Sequence, residues 1–138
     1  MNDCLFCKII AGEIPSETVY ENERVLAFLD IHPLNPGHTL VIPKLHAENI
    51  LASSVEDAEA LMRAVKEIAP KILKAVGAED CNITTNSGKA AGQIIFHTHL
   101  HIIPRLAADG YVHWRRPAGD TLDVPSIAKK IRVELGYA

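Results

Sequence analysis

The sequence predicts an α+β fold built on a five-stranded, mainly antiparallel sheet with one long helix and a short N-terminal helix. Three observations carry that expectation. Five short runs rich in β-forming residues are bounded by turn residues: Glu17–Tyr20, Val25–Ile31, His38–Pro43, Cys81–Thr85 and Gln93–Pro104. Between the third and fourth runs, apolar residues recur at three and four over Ser53–Val76, the period of a helix. The length, 138 residues, suits a single domain spanning 1–138 that buries about two-thirds of its unfolded surface.

Taken in order, Cys4–Ala11 reads as a short helix ended by Gly12, with Phe6, Ile9 and Ile10 available to pack. The first two strands flank the turn-like Glu21-Asn22-Glu23-Arg24 and should form a hairpin. His32-Pro33-Leu34-Asn35-Pro36-Gly37 is dense in turn residues and should be a surface loop before the third strand. The long helix begins at Ser53-x-x-Glu56, a capping box, and stops at Gly77, while Pro70 should kink or split it. Asn86–Gly92 is a flexible loop delivering the chain to the last strand. An irregular tail containing His113-Trp114 follows Pro104, ending in a helix from about Pro125 to Leu135.

Composition excludes several classes. With 14 basic and 17 acidic residues and no basic run, the chain lacks the positive footprint of a dedicated nucleic-acid binder. No segment approaches the length needed to cross a bilayer, and Met1-Asn2-Asp3-Cys4 shows no basic leader, so a cytoplasmic protein away from membranes is expected. Cys4, Cys7 and Cys81 form an odd set, and a C-x-x-C pair in a reducing compartment points to metal or redox work more than to a disulfide.

The chemistry gathers in Gln93–Pro104. As a strand, it would put His97, His99 and His101 on one face at intervals of roughly 6.6 Å, with Phe96, Thr98, Leu100 and Ile102 on the other. Three histidines that far apart cannot all reach one metal ion, so a metal at one end and catalysis further along suits the spacing better. A neutral imidazole can attack phosphorus, and neighbouring imidazoles help to keep it neutral because each added charge disfavours the next. The plainer alternative is a strand of half-exposed histidines. Cys4 and Cys7 with His46 and His97 would make a Cys2His2 zinc set, the alternative being a reduced pair on a short helix. Asn86, Ser87, Gly88, Gly92 and Gln93 place small residues and amide donors where a phosphate cradle would sit, though taken alone they equally describe a hairpin connection.

With these residues in view, the chain resembles the histidine triad family of nucleotide hydrolases and transferases. His97-Thr98-His99-Leu100-His101-Ile102-Ile103 matches its signature of alternating histidines, and Phe28-Leu29-Asp30-Ile31 with Gly37–Lys44 resembles its upstream block. The likeness covers a core of about residues 4–105; the tail, 106–138, matches poorly. It implies that His99 attacks the α-phosphate of a purine nucleotide conjugate, such as an adenosine phosphoramidate, to form a nucleotidyl-histidine that water hydrolyses, releasing AMP. His101 would assist the leaving group and His38 would orient the imidazoles. Asn86 and Gln93 match phosphate-binding positions, Asp30 the ribose-binding carboxylate, and Phe6, Ile9, Phe28 and Ile31 the walls of the base pocket. The Hint-like branches that carry the cysteine pair imply a structural zinc on Cys4, Cys7, His46 and His97, and a homodimer. Where several branches have Ser or Thr after the loop glutamine, this chain has Ile94, which has no hydroxyl to offer a leaving group. A dinucleoside polyphosphate hydrolase and a nucleotide-binding adaptor with incidental turnover are the alternative readings.

Overall fold

The computed structural model describes residues 3–119 and 121–137. Its elements are α1 (Leu5–Ile10), β1 (Thr18–Glu21), β2 (Val25–Leu29), β3 (Thr39–Pro43), α2 (Val55–Val76), β4 (Asp80–Thr84), β5 (Leu100–Arg105) and α3 (Val124–Leu135). The five strands form one antiparallel sheet in the order β1-β2-β3-β5-β4.

Alternation along the strands divides the sheet into two faces. Val25 and Ala27 of β2, Val41 of β3, and Leu100 and Ile102 of β5 face α2 and pack against its buried Leu61, Ala64, Val65 and Ile68. Burying a side chain such as Leu61 there contributes about 2 kcal/mol. Their neighbours Leu26, Phe28, Leu40 and Ile42 point the other way and form a second cluster with Phe6 of α1. The same parity aims Asp30, His38 and His101 at that second face. One face stabilises the sheet; the other carries the polar groups.

Helix α2 is continuous through Pro70, whose side chain is exposed, so the proline does not split it. Its N-cap is Ser54, whose hydroxyl accepts from Asp57 N–H at 3.1 Å, and not Ser53 as the capping-box pattern predicts. Ser53 instead meets the Thr98 hydroxyl at 2.8 Å, tying the start of α2 to the histidine segment. Gly77 ends the helix in the left-handed conformation.

The largest departure from expectation lies at the last strand, which begins at Leu100 and not at Gln93. β3 pairs with β5 only over Thr39–Val41, and β4 pairs with it no earlier than His101. Among the described residues, no strand pairs with the chain before Leu100. A 3₁₀ turn at Lys89–Ala91 replaces regular pairing, and Thr98 N–H instead donates to the Ala47 carbonyl at 2.8 Å. His97 and His99 therefore lie on an irregular approach to the strand, and Phe96 is exposed, not packed.

Candidate active site

Four donor atoms converge where α1 meets the approach to β5. Cys4 caps α1, its Sγ accepting from Cys7 N–H at 3.5 Å, which places both sulfurs at the helix start. Cys4 Sγ lies 3.4 Å from His97 Nδ1, and Cys7 Sγ lies 3.5 Å from His46 Nδ1 and 3.6 Å from His97 Nδ1. The two Nδ1 atoms are 3.2 Å apart. A tetrahedral zinc ion with ordinary bond lengths spans about 3.6 Å between S and N ligands and about 3.3 Å between N ligands. The donor set fits such an ion.

His97 is fully buried, and its Nε2–H donates to the Pro43 carbonyl at 2.8 Å, leaving Nδ1 bare toward the sulfurs. Burial raises the Cys7 thiol and lowers the His97 imidazole, so both resist carrying charge unless a cation offsets it. This group can hold a metal.

Further along, the hydrogen bonds fix which nitrogen of each imidazole carries the proton. The His97 carbonyl can only accept, so His99 donates to it from Nδ1 at 2.6 Å, the tautomer that in a neutral imidazole leaves the Nε2 lone pair bare. Leu34 N–H can only donate, and it reaches His38 Nδ1 at 3.1 Å. His38 therefore carries its proton on Nε2 and donates it to His101 Nδ1 at 2.8 Å. That leaves His101 protonated at Nε2. His99 and His101 stand ring to ring with centroids 5.1 Å apart, so a bare nitrogen and an N–H donor are neighbours. Burial, then the nearby His99 and His38, push the His101 imidazole down to about 4, with Asp30 opposing. Burial also lowers His38, again against Asp30. Both rings are uncharged at neutral pH.

The remaining expected residues are placed as follows. Asp30 accepts from His32 N–H at 2.8 Å and holds its other oxygen 3.6 Å from His38 Nε2. Phe6 packs edge-on against Phe28, His97 and His99, and Ile9 borders that cluster. Ile31 is 84% exposed and joins neither cluster. Asn86 lies against Gly92. Gln93 is buried with its amide committed to the loop: Oε1 accepts from Gly88 N–H, and Nε2 donates to the Glu48 and Ile95 carbonyls. It shapes the loop and offers no free donor in this state. A groove of about 490 Å³ opens beside Asn86, walled by Ile103 and Arg105 of β5 and by Tyr111–Trp114 of the tail.

Three contributors escape sequence reasoning because they are main-chain atoms: the Pro43 carbonyl, the His97 carbonyl and the Leu34 amide. The density of turn residues around Leu34 is the one signal that its backbone is held.

Fold and site together define a chain that presents buried imidazoles on one face of a small antiparallel sheet, and comparison with known proteins gives its family. The protein belongs to the HIT family, since the HIT domain model matches residues 11–108. It is 47% identical over 108 residues to adenylylsulfatase HINT3 of Arabidopsis thaliana, covering 78% of this chain and 55% of that one. It is 44% identical over 102 residues to adenosine 5'-monophosphoramidase hnt1 of Schizosaccharomyces pombe, 74% of each chain. The crystal structure of SMU.412c from Streptococcus mutans superposes with a TM-score of 0.90 at 45% identity, covering 98% of this chain and 87% of that one.

Proposed function

We propose that this protein is a nucleotidyl hydrolase that cleaves a purine nucleotide conjugate, such as an adenosine phosphoramidate, at the α-phosphate and releases AMP. The observation that carries the reading is the bare Nε2 of His99, held in that tautomer by the 2.6 Å bond from its Nδ1 to the His97 carbonyl. That lone pair forms a nitrogen–phosphorus bond as the bond from phosphorus to the leaving group breaks. His101 gives its Nε2 hydrogen bond to the departing group, which takes up a proton from solvent water when it leaves as an amine, and His38 keeps the His101 proton on that side. Water then attacks phosphorus and gives up a proton to the solvent, the nitrogen–phosphorus bond breaks with its electron pair returning to His99 Nε2, and AMP is released. Asp30 holds the ribose, Asn86 and the loop shaped by Gln93 receive the phosphate, and Phe6, Ile9, Phe28 and Ile31 border the base.

Cys4, Cys7, His46 and His97 are the residues that would hold zinc, which would fasten α1 to the sheet. The donor distances support that metal. The reading places the working protein in the cytoplasm as a homodimer of single-domain chains, in keeping with the exposed Ile127, Ile131 and Leu135 of α3.

One observation favours a second substrate within the same chemistry. Ile94, 86% exposed on the loop, has no hydroxyl to protonate a poor leaving group. An adenylyl sulfate, whose sulfate leaves without a proton, suits such a loop, and one relative bears the name adenylylsulfatase. Rapid quenching of turnover on each conjugate, followed by peptide mapping, tests the reading: an adenylyl group on His99 is expected. An adduct on another histidine, or turnover with none, would refute it.

A further inference from the structure

The turn that precedes β3 is gripped by the turn that follows β5. Leu34 uses both of its backbone groups: its N–H goes to His38 Nδ1, and its carbonyl accepts from Tyr111 Oη at 2.9 Å. Asn35 Nδ2 donates to the Pro104 carbonyl at 2.9 Å and to Asp109 Oδ2 at 3.0 Å, while the Asn35 carbonyl accepts from His38 N–H at 3.1 Å. The Asp109 side chain is 4% exposed and is itself fixed by Arg105 through Nε at 2.7 Å and Nη2 at 3.0 Å. On the opposite side, Gly37 lies so close to Val76, Ile72 and Pro104 that a Cβ would not fit.

The geometry points to Tyr111 and Asn35 as positioning residues: they clamp Leu34 so that its amide dictates the proton positions of His38 and, through it, His101. The inference rests on the hydrolase reading only for its catalytic consequence. Two imidazoles joined by one hydrogen bond have two arrangements. With Leu34 N–H on His38 Nδ1, His38 donates and His101 keeps its proton at Nε2. With that amide withdrawn, His38 can carry its proton on Nδ1 and accept from His101 Nδ1, leaving His101 Nε2 bare and unable to assist a leaving group. Asp30, 3.6 Å from His38 Nε2, still favours the first arrangement, so loosening the clamp yields a mixture and not complete reversal.

Long-range proton–nitrogen NMR spectra of histidine-labelled protein read both rings directly. In the wild type, His38 and His101 are each expected wholly as the Nε2–H form; Tyr111→Phe and Asn35→Ala should show mixed forms. With an adenosine phosphoramidate, kcat should fall about tenfold in both variants while KM and AMP affinity stay within about twofold. Tyr111→Phe removes one hydroxyl from a half-exposed ring, so it keeps the test open should Asn35→Ala fold poorly. Unchanged ring forms in Tyr111→Phe, or shifted forms with unchanged kcat, would overturn the inference. A wild type that cleaves no nucleotide conjugate would sink the hydrolase reading instead, and the spectra would still decide this one.

Discussion

Acid should destabilise this protein through His101 in a way that one substitution removes. Its imidazole is held at about 4 in the folded chain against an ordinary 6.5, so between those pH values the unfolded chain binds more protons than the folded one. Stability is therefore fully present above about pH 6.5 and is lost as pH falls toward 4. A displacement of that size corresponds to about 3 kcal/mol in a dry site; His101 is only part-buried, and solvent screening reduces the expectation to about 2 kcal/mol. Urea unfolding followed by circular dichroism at steps from pH 7 to pH 4.5 measures it, with His101→Asn as the comparison. Protonation of the cysteine and histidine cluster near α1 contributes equally to both proteins and cancels in the difference. The wild type should lose about 2 kcal/mol more than the variant over that span. Parallel stability curves would mean that His101 is not held neutral by burial and its neighbours, and the reasoning would fail.

Three further outcomes are expected. His99→Ala should lower turnover by about four orders of magnitude while AMP binding, read by calorimetry, stays within a few-fold, because on the proposed reading the nucleophile goes and the pocket remains; retained turnover would place the attack elsewhere. Metal analysis of protein purified without chelator should find about one zinc per chain, and Cys4→Ser should release it and lower the melting temperature, since it removes one of four converging donors. Gly37→Ala should cost about 2 kcal/mol in urea unfolding, because it sets a methyl group 2.9 Å from Val76 Cγ1 at a φ of +87°.

The sheet and α2 were legible because their signals are periodic and redundant. Val25–Leu29 and Thr39–Pro43 are dense in β-forming residues, and Leu61, Val65 and Ile68 keep helical spacing, so a boundary error of a residue or two changes nothing that matters. The histidine segment was misread as regular strand because alternation of side chains describes a strand only where partners flank it, and composition cannot reveal where β3 and β4 stop pairing. The three imidazoles share a neighbourhood through the irregular approach, and each faces a different partner: Pro43, the His97 carbonyl, and His38. The capping-box pattern points to Ser53, one residue before the true cap, because Ser53 and Ser54 each have an acidic residue three positions on and Glu56 fits the box better than Asp57. The Leu34 amide was invisible for a simpler reason: every residue but proline has one, and only the tertiary clamp gives this one its task.

The order of the strands has a consequence for synthesis. Among the described residues β5 is the last strand made, yet it sits between β3 and β4, and β4 joins the sheet through β5 alone. A nascent chain that has emerged only as far as residue 99 therefore carries one open edge on β3 and an orphan β4, an arrangement prone to sticking to other chains. The keystone is preceded directly by His99, so the proposed nucleophile and the strand that joins β4 to the sheet emerge from the ribosome together. On the proposed reading, a chain that lacks one therefore lacks the other.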